Sequence, residues 1–166
     1  MTDARADGPL FVHTKTVLPE WLDHNGHMND SFYTYVAGYG FDGMMATCGL
    51  TNDYRAATHC TTYSLETHVC YLNEAKLGEP IDVFVQVLDA DAKRIHVFVT
   101  MKHGTSGNDL AVCEAMYAHV DQDAGPKTAP MPDDMQTKLF AIRDAHATLP
   151  KPEQAGRTIG IRRKPQ

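Results

Sequence analysis

Hydrophobic positions along this chain follow two rhythms, and the change between them divides it. From Ser31 to Cys48 (SFYTYVAGYGFDGMMATC) apolar residues recur on nearly every side of a helical wheel, the pattern of a helix buried in a core. After residue 60 the rhythm becomes alternation. In Thr61–Leu72, Tyr63, Leu65, Thr67, Val69 and Tyr71 alternate with Thr62, Ser64, Glu66, His68 and Cys70, the period of a half-buried strand. Ile81–Leu88, Arg94–Met101 and Leu110–Val120 are strand-like runs separated by turn residues, so four long strands in a meander are predicted. Leu10–Leu18, stopped by Pro19, adds a first strand. Asp133–Ala147, with Met135, Leu139 and Ile142 on one face, reads as a surface helix. One core helix followed by antiparallel strands defines an α+β domain, its sheet curved around the helix.

Local signals set the boundaries. Asn29 or Asp30 is a suitable N-cap for the core helix, and Gly49 stands where a C′ residue is expected. Gly38, Gly40 and Gly43 each cost about 0.5–1 kcal/mol relative to alanine in a helix interior. Close approach of the helix backbone to the sheet is the expected reason for all three. Residues 51–60 read as a polar connection, residues 1–9 as a frayed leader, and the tail beyond Leu149 as irregular.

Composition narrows the class. A chain of 166 residues, 43% hydrophobic, is expected to form one domain, with its core over about 10–125 and a C-terminal helix and tail over 126–166. A formal charge of −6 argues against a nucleic-acid partner. That charge is uneven. Residues 151–166 carry five basic side chains against Glu153, a net of +4, which leaves −10 on the other 150. Such a tail is either a solvated terminus or an arm for an anionic ligand, which Arg157, Arg162 and Arg163 could hold by charge-assisted pairing. The four cysteines form no CxxC pair, no secretory leader is visible, and no long apolar run suggests a membrane span. A cytoplasmic protein without metal or organic cofactor is expected.

Candidate chemistry concentrates just before the core helix, in Asp23-His24-Asn25-Gly26-His27-Met28-Asn29. A carboxylate, an amide and an imidazole within five residues can work together. Asp23 can act as nucleophile or as base for water, while Asn25 holds the water or the carboxylate. The orphan N–H groups and positive end of the helix can hold an oxyanion. The same residues also make an ordinary polar turn with a helix cap, and composition alone favours that simpler role. Glu66 and His68 share a strand face, either lining a pocket that faces the helix start or standing in solvent. Tyr33 and Tyr54 offer ring faces to a cationic head.

These residues, in this order, resemble the hotdog-fold thioesterases related to 4-hydroxybenzoyl-CoA thioesterase. Asp23, Gly26 and Tyr33 fit that family's D-x-x-G loop with a tyrosine ten residues after the aspartate, and Gly49-Leu50 fits its helix exit. Asp23, Asn25, His27 and Asn29 also resemble the loop of acyl-carrier-protein thioesterases. The stretch ETHVCYLNEAKLGEPIDVFVQVLDADAKRIHVF, with AGRTIG in the tail, is similar to the betainyl-CoA thioesterases of carnitine breakdown. The resemblance implies a hotdog fold, hydrolysis of an acyl-CoA by Asp23 with Asn25 and His27, and Asn29, Tyr33, Glu66 and His68 at the substrate; with such a substrate, Arg157, Arg162 and Arg163 become candidates for the CoA phosphates. It also implies a homodimer or homotetramer with active sites between subunits. Two rivals are weighed beside it. Hotdog enoyl-CoA hydratases use a D-x-N-P-x-H loop, which Gly26 and the shorter spacing to His27 break. A non-catalytic acyl-CoA-binding module usually carries a DNA-binding segment, for which the chain shows no basic recognition helix.

Overall fold

A helix with glycines at its waist lies across a six-stranded antiparallel sheet that curls about it. The structure, a computed structural model, describes residues 8–123 and 125–161. The strands are β1 (Leu10–Thr16), β2 (Cys60–Tyr71), β3 (Pro80–Ala90), β4 (Arg94–His103), β5 (Asp109–Asp121) and the short β6 (Lys127–Thr128). The helices are α1 (Asp30–Cys48), α2 (Asn52–Thr58) and α3 (Asp133–His146). The strand order is β1-β3-β4-β5-β2, with β6 beside β5.

That order corrects the four-strand meander. Only β3, β4 and β5 follow one another in space; β2 leaves the sequence order and pairs with β5 at the far edge. Residues 72–79 must then carry the chain back across the end of the sheet. They are stitched to the segment after β1 on the way, through Met28 N–H to Ala75 O (2.8 Å), Val17 N–H to Glu79 O (3.0 Å) and Gly78 N–H to Val17 O (3.0 Å). This crossing places Asn73 and Glu74 beside the loop that precedes α1.

The core forms where α1 meets the concave face of the sheet. Ile81, Val83, Val85, Val97, Val99 and Met101 are fully buried against Val36, Phe41, Met44 and Met45, and the rings of Phe41 and Tyr117 stack at 3.6 Å. A Cβ on Gly40 would sit 2.7 Å from Val83 Cγ1, and one on Gly43 would meet Val12 Cγ1, so these two glycines do permit the close approach. Gly38 does not: nothing lies within 4 Å of a Cβ there. Within one chain α1 is also less enclosed than its pattern suggests. Thr34, Tyr35, Tyr39, Asp42 and Ala46 form an exposed face, along which Trp21, Phe32, Tyr35 and Tyr39 pack ring to ring.

The polar connection after α1 contains a helix, α2. The Thr51 hydroxyl caps it by accepting from Tyr54 N–H (3.2 Å), and Arg55 ties it to Asp42 of α1 (3.2 Å). The Tyr54 phenol bonds Nε2 of the buried His119 on β5 (2.9 Å), and Tyr54 does not line the cleft at the start of α1. No helix among the described residues is long and apolar enough to cross a membrane.

After α3 the chain passes to the opposite face of the sheet. His146, at the end of α3, accepts the Val87 N–H through Nδ1 (2.9 Å) beside the bulge in β3. Burial holds this imidazole below the ordinary histidine value of 6.5. The folded state therefore prefers the neutral ring, and this contribution is complete above pH 6.5 and lost as the pH falls through the lower folded value. We expect stability by urea unfolding to fall between pH 7.5 and 5.5. His146→Ala should cost about 1–3 kcal/mol at the higher pH by leaving a buried N–H unpaired, and should flatten that pH dependence. A slope unchanged in the variant would exclude His146 as its source.

Candidate active site

The turn before α1 is shaped by its own hydrogen bonds. Asp23 N–H donates to His27 O (2.9 Å), Gly26 N–H donates to Asp23 O (3.1 Å), and Gly26 sits at φ 76°, a conformation that favours glycine. Asp23 Oδ1 accepts from Asn25 N–H (2.8 Å), and Asn25 Nδ2 lies 3.4 Å from Asp23 Oδ2. Asn25 therefore holds the carboxylate. The backbone N–H of Asn25, foremost, keeps the Asp23 carboxyl below the ordinary value of 3.8, because hydrogen bonds to the ionised form favour it. Asp23 is an anion throughout the neutral range.

Asn29 caps α1 by accepting from Ser31 N–H (3.0 Å). That amide is accordingly engaged, so the helix start contributes its positive end with one N–H fewer than the turn composition suggests. Met28 and Tyr33 occupy the flanking positions at which a hydrophobic staple forms, and both are buried. The Tyr33 phenol accepts the Ala75 N–H (3.2 Å) and stands 3.4 Å from Asn73 O. Burial raises both Tyr33 and Tyr71 above the ordinary phenol value, so both stay protonated.

Asp23, Asn25, His27 and Tyr33 line one cleft of about 350 Å³ at the mouth of α1, together with Asp30, Tyr71, Leu72 and Glu74. His27 Nε2 lies 3.1 Å from Glu74 Oε2. Sequence reasoning missed Glu74 and Tyr71, because only the crossing of residues 72–79 brings them to the turn. Residue type alone did not distinguish Glu74 from the other acids of that connection.

Glu66 and His68 are not in this cleft. They alternate with Val69, which packs on the core, so they project from the opposite face of β2. There they line a separate cleft of about 320 Å³ with His96, Glu114 and Arg157. Within that cleft Glu114 Oε1 lies 2.8 Å from His96 Nε2, and its Oε2 accepts the Gly156 N–H (2.6 Å), pinning the tail to the sheet. Arg157 thus stands on the far side of the sheet from Asp23, while Arg162 and Arg163 lie outside the described residues. Among the described residues no three His, Cys, Asp or Glu side chains converge as a metal would require.

A long core helix under a curled antiparallel sheet, with a polar cleft at the helix mouth, is the architecture of the hotdog fold. Residues 17–139 match the thioesterase-like superfamily, and the chain belongs to it. It is a thioester hydrolase acting on acyl-CoA. It is similar to the betainyl-CoA thioesterase of Pseudomonas aeruginosa, 40% identical over 92% of this chain and 95% of that protein. The L-carnitine dehydrogenase/betainyl-CoA thioesterase of Rhizobium meliloti is 39% identical over 95% of this chain, which spans 32% of that longer protein. Among solved structures, a hypothetical protein of Staphylococcus aureus in complex with CoA superposes with a TM-score of 0.85. It is 29% identical, over 93% of this chain and 97% of its own.

Proposed function

We propose that this chain hydrolyses betainyl-CoA to glycine betaine and CoA, with Asp23 as the catalytic carboxylate. The observation that carries this is the Asp23 anion, held by Asn25 at the positive end of α1 within an open cleft. The 40% identity to a betainyl-CoA thioesterase supplies the acyl group. Asp23 draws a proton from water in the cleft as the water oxygen attacks the thioester carbonyl. The resulting oxyanion faces the helix start. Its collapse breaks the C–S bond, and the thiolate leaves with the proton returned from Asp23. His27, backed by Glu74, orients the water or the ester. Hydroxylamine trapping of an Asp23 acyl anhydride would instead make Asp23 the nucleophile.

The working unit we propose is a homodimer, or a tetramer built from dimers. Strand β2 is a free edge twelve residues long that exposes Tyr63, Leu65 and Tyr71, and such edges recruit partners. A volume of about 350 Å³ is near the low end for a ligand pocket, about 300–1,000 Å³. It accommodates an acyl head, and a second copy along β2 would add a wall beside Tyr71 and Leu72 for the rest of the ester. The four free cysteines suit a reducing, cytoplasmic setting.

The test is a panel of acyl-CoA esters with free thiol as readout, run beside light scattering on the same sample. Betainyl-CoA should give the highest kcat/KM, and the particle mass should be a multiple of the chain mass. Preference for another ester would replace the acyl group proposed here, and a monomer at full activity would remove the dimer.

A further inference from the structure

We propose that Glu74, with the rings of Tyr33 and Tyr71, forms the acyl-head site and selects a quaternary ammonium group over an uncharged group of the same shape. This rests on the cleft being the thioesterase site, and it assigns the specificity to particular side chains.

The lining of the cleft is unbalanced in charge. It contains three carboxylates, Asp23, Asp30 and Glu74, and neither a lysine nor an arginine. Two of the three already have tasks. Asp23 is held in the turn by Asn25. Asp30 opens α1, where the helix dipole offsets its charge, and the Ser31 hydroxyl lies 3.4 Å from its Oδ1. Glu74 holds no turn and caps no helix; its Oε2 faces His27, and the side chain is 66% exposed.

The rings of Tyr33 and Tyr71 meet at 77° with centroids 5.5 Å apart, so two aromatic walls form a corner. Both phenols point at main chain, Tyr33 at Ala75 N and Asn73 O, Tyr71 at Asp30 O (3.4 Å). Backbone contacts at both hydroxyls fix the rings: Tyr33, 4% exposed, backs the corner from the core, while Tyr71, 52% exposed, is the ring open to a ligand. A quaternary ammonium donates no hydrogen bond, so a protein recognises it through ring faces and nearby negative charge. This corner offers both. An anionic acyl group, such as a dicarboxylate half-ester, would be repelled by the same lining.

Glu74 also backs His27, and a purely positioning role would affect every ester alike. The discriminating measurement is therefore a ratio. It compares kcat/KM for betainyl-CoA with that for 3,3-dimethylbutyryl-CoA, in which carbon replaces the charged nitrogen. Wild type should favour the charged ester, and Glu74→Gln should lower the ratio by roughly fivefold to tenfold, the loss falling on the charged ester. Tyr71→Leu should lower the ratio as well, while Tyr71→Phe, which keeps the ring, should restore it. A ratio unchanged in Glu74→Gln, or an equal loss on both esters, overturns the proposal and leaves Glu74 a positioning residue for His27. A wild-type ratio near one overturns it while the thioesterase reading stands. Absence of hydrolysis of any ester by the wild-type chain defeats that reading and the proposal together.

Discussion

Asp23→Asn is expected to lower kcat on the best acyl-CoA ester by about 10²–10⁴-fold, the usual consequence of losing a general base. The replacement is nearly isosteric. Its carbonyl oxygen can still accept the Asn25 N–H that shapes the turn at 2.8 Å. What it removes is the negative charge and the ability to take a proton from water. Melting temperature should therefore change little, and the loss should appear in kcat more than in KM. Hydrolysis at a near wild-type rate would exclude Asp23 from the chemistry. The pH profile provides a second check. Because the Asp23 carboxyl lies below its ordinary value of 3.8, its active, ionised form persists as pH falls to that point. Any loss of rate between pH 8 and 5 must come from another group.

The second large effect concerns stability and depends on which waist glycine is changed. Gly40→Val places a branched side chain where even a Cβ lies 2.7 Å from Val83 Cγ1, 3.4 Å from Val99 and 3.5 Å from Val85. All three valines are fully buried in the sheet and have no room to retreat. Overpacking of this kind costs about 1–3 kcal/mol and occasionally more, and the upper end is expected here. It exceeds the gain of about 0.5–1 kcal/mol from removing a helical glycine. Gly38→Ala should have the opposite sign, because its Cβ would enter open space, and should stabilise by that same gain. Urea unfolding of the two variants beside wild type measures both. A neutral Gly40→Val would mean that α1 does not approach the sheet as closely as 2.7 Å implies.

Much of this architecture is written in local signals. The Asn29 cap, the Gly49 stop at φ 114° and the alternation of β3, β4 and β5 each depend on residues within a turn or two of one another. Asp23, Asn25, His27 and Tyr33 share a cleft because they flank a single helix start. What the sequence concealed was non-local. Nothing near Thr61–Leu72 says that this strand pairs with β5 at the far edge, so neither the crossing nor the arrival of Glu74 could be seen. The alternation in β2 did separate Glu66 and His68 from the apolar face, but the sheet had to be in place before that face could be assigned to the side away from Asp23. Gly38 resembled Gly40 and Gly43 in sequence while facing outward. Composition carries no sense of direction around a helix.

The attachment of Tyr33 to the crossing segment has a practical consequence. Its phenol touches that segment only through main-chain atoms, Ala75 N and Asn73 O. The anchor itself uses no side chain of positions 73–75; Ala75 is fully buried and Asn73 donates through Nδ2 to Asp109 O (2.7 Å), which leaves Glu74 as the position open to change. On the role proposed for Glu74, substitution there is expected to change acyl preference while the turn before α1 and the crossing stay fastened through Tyr33, which makes this position the one to vary in a redesign.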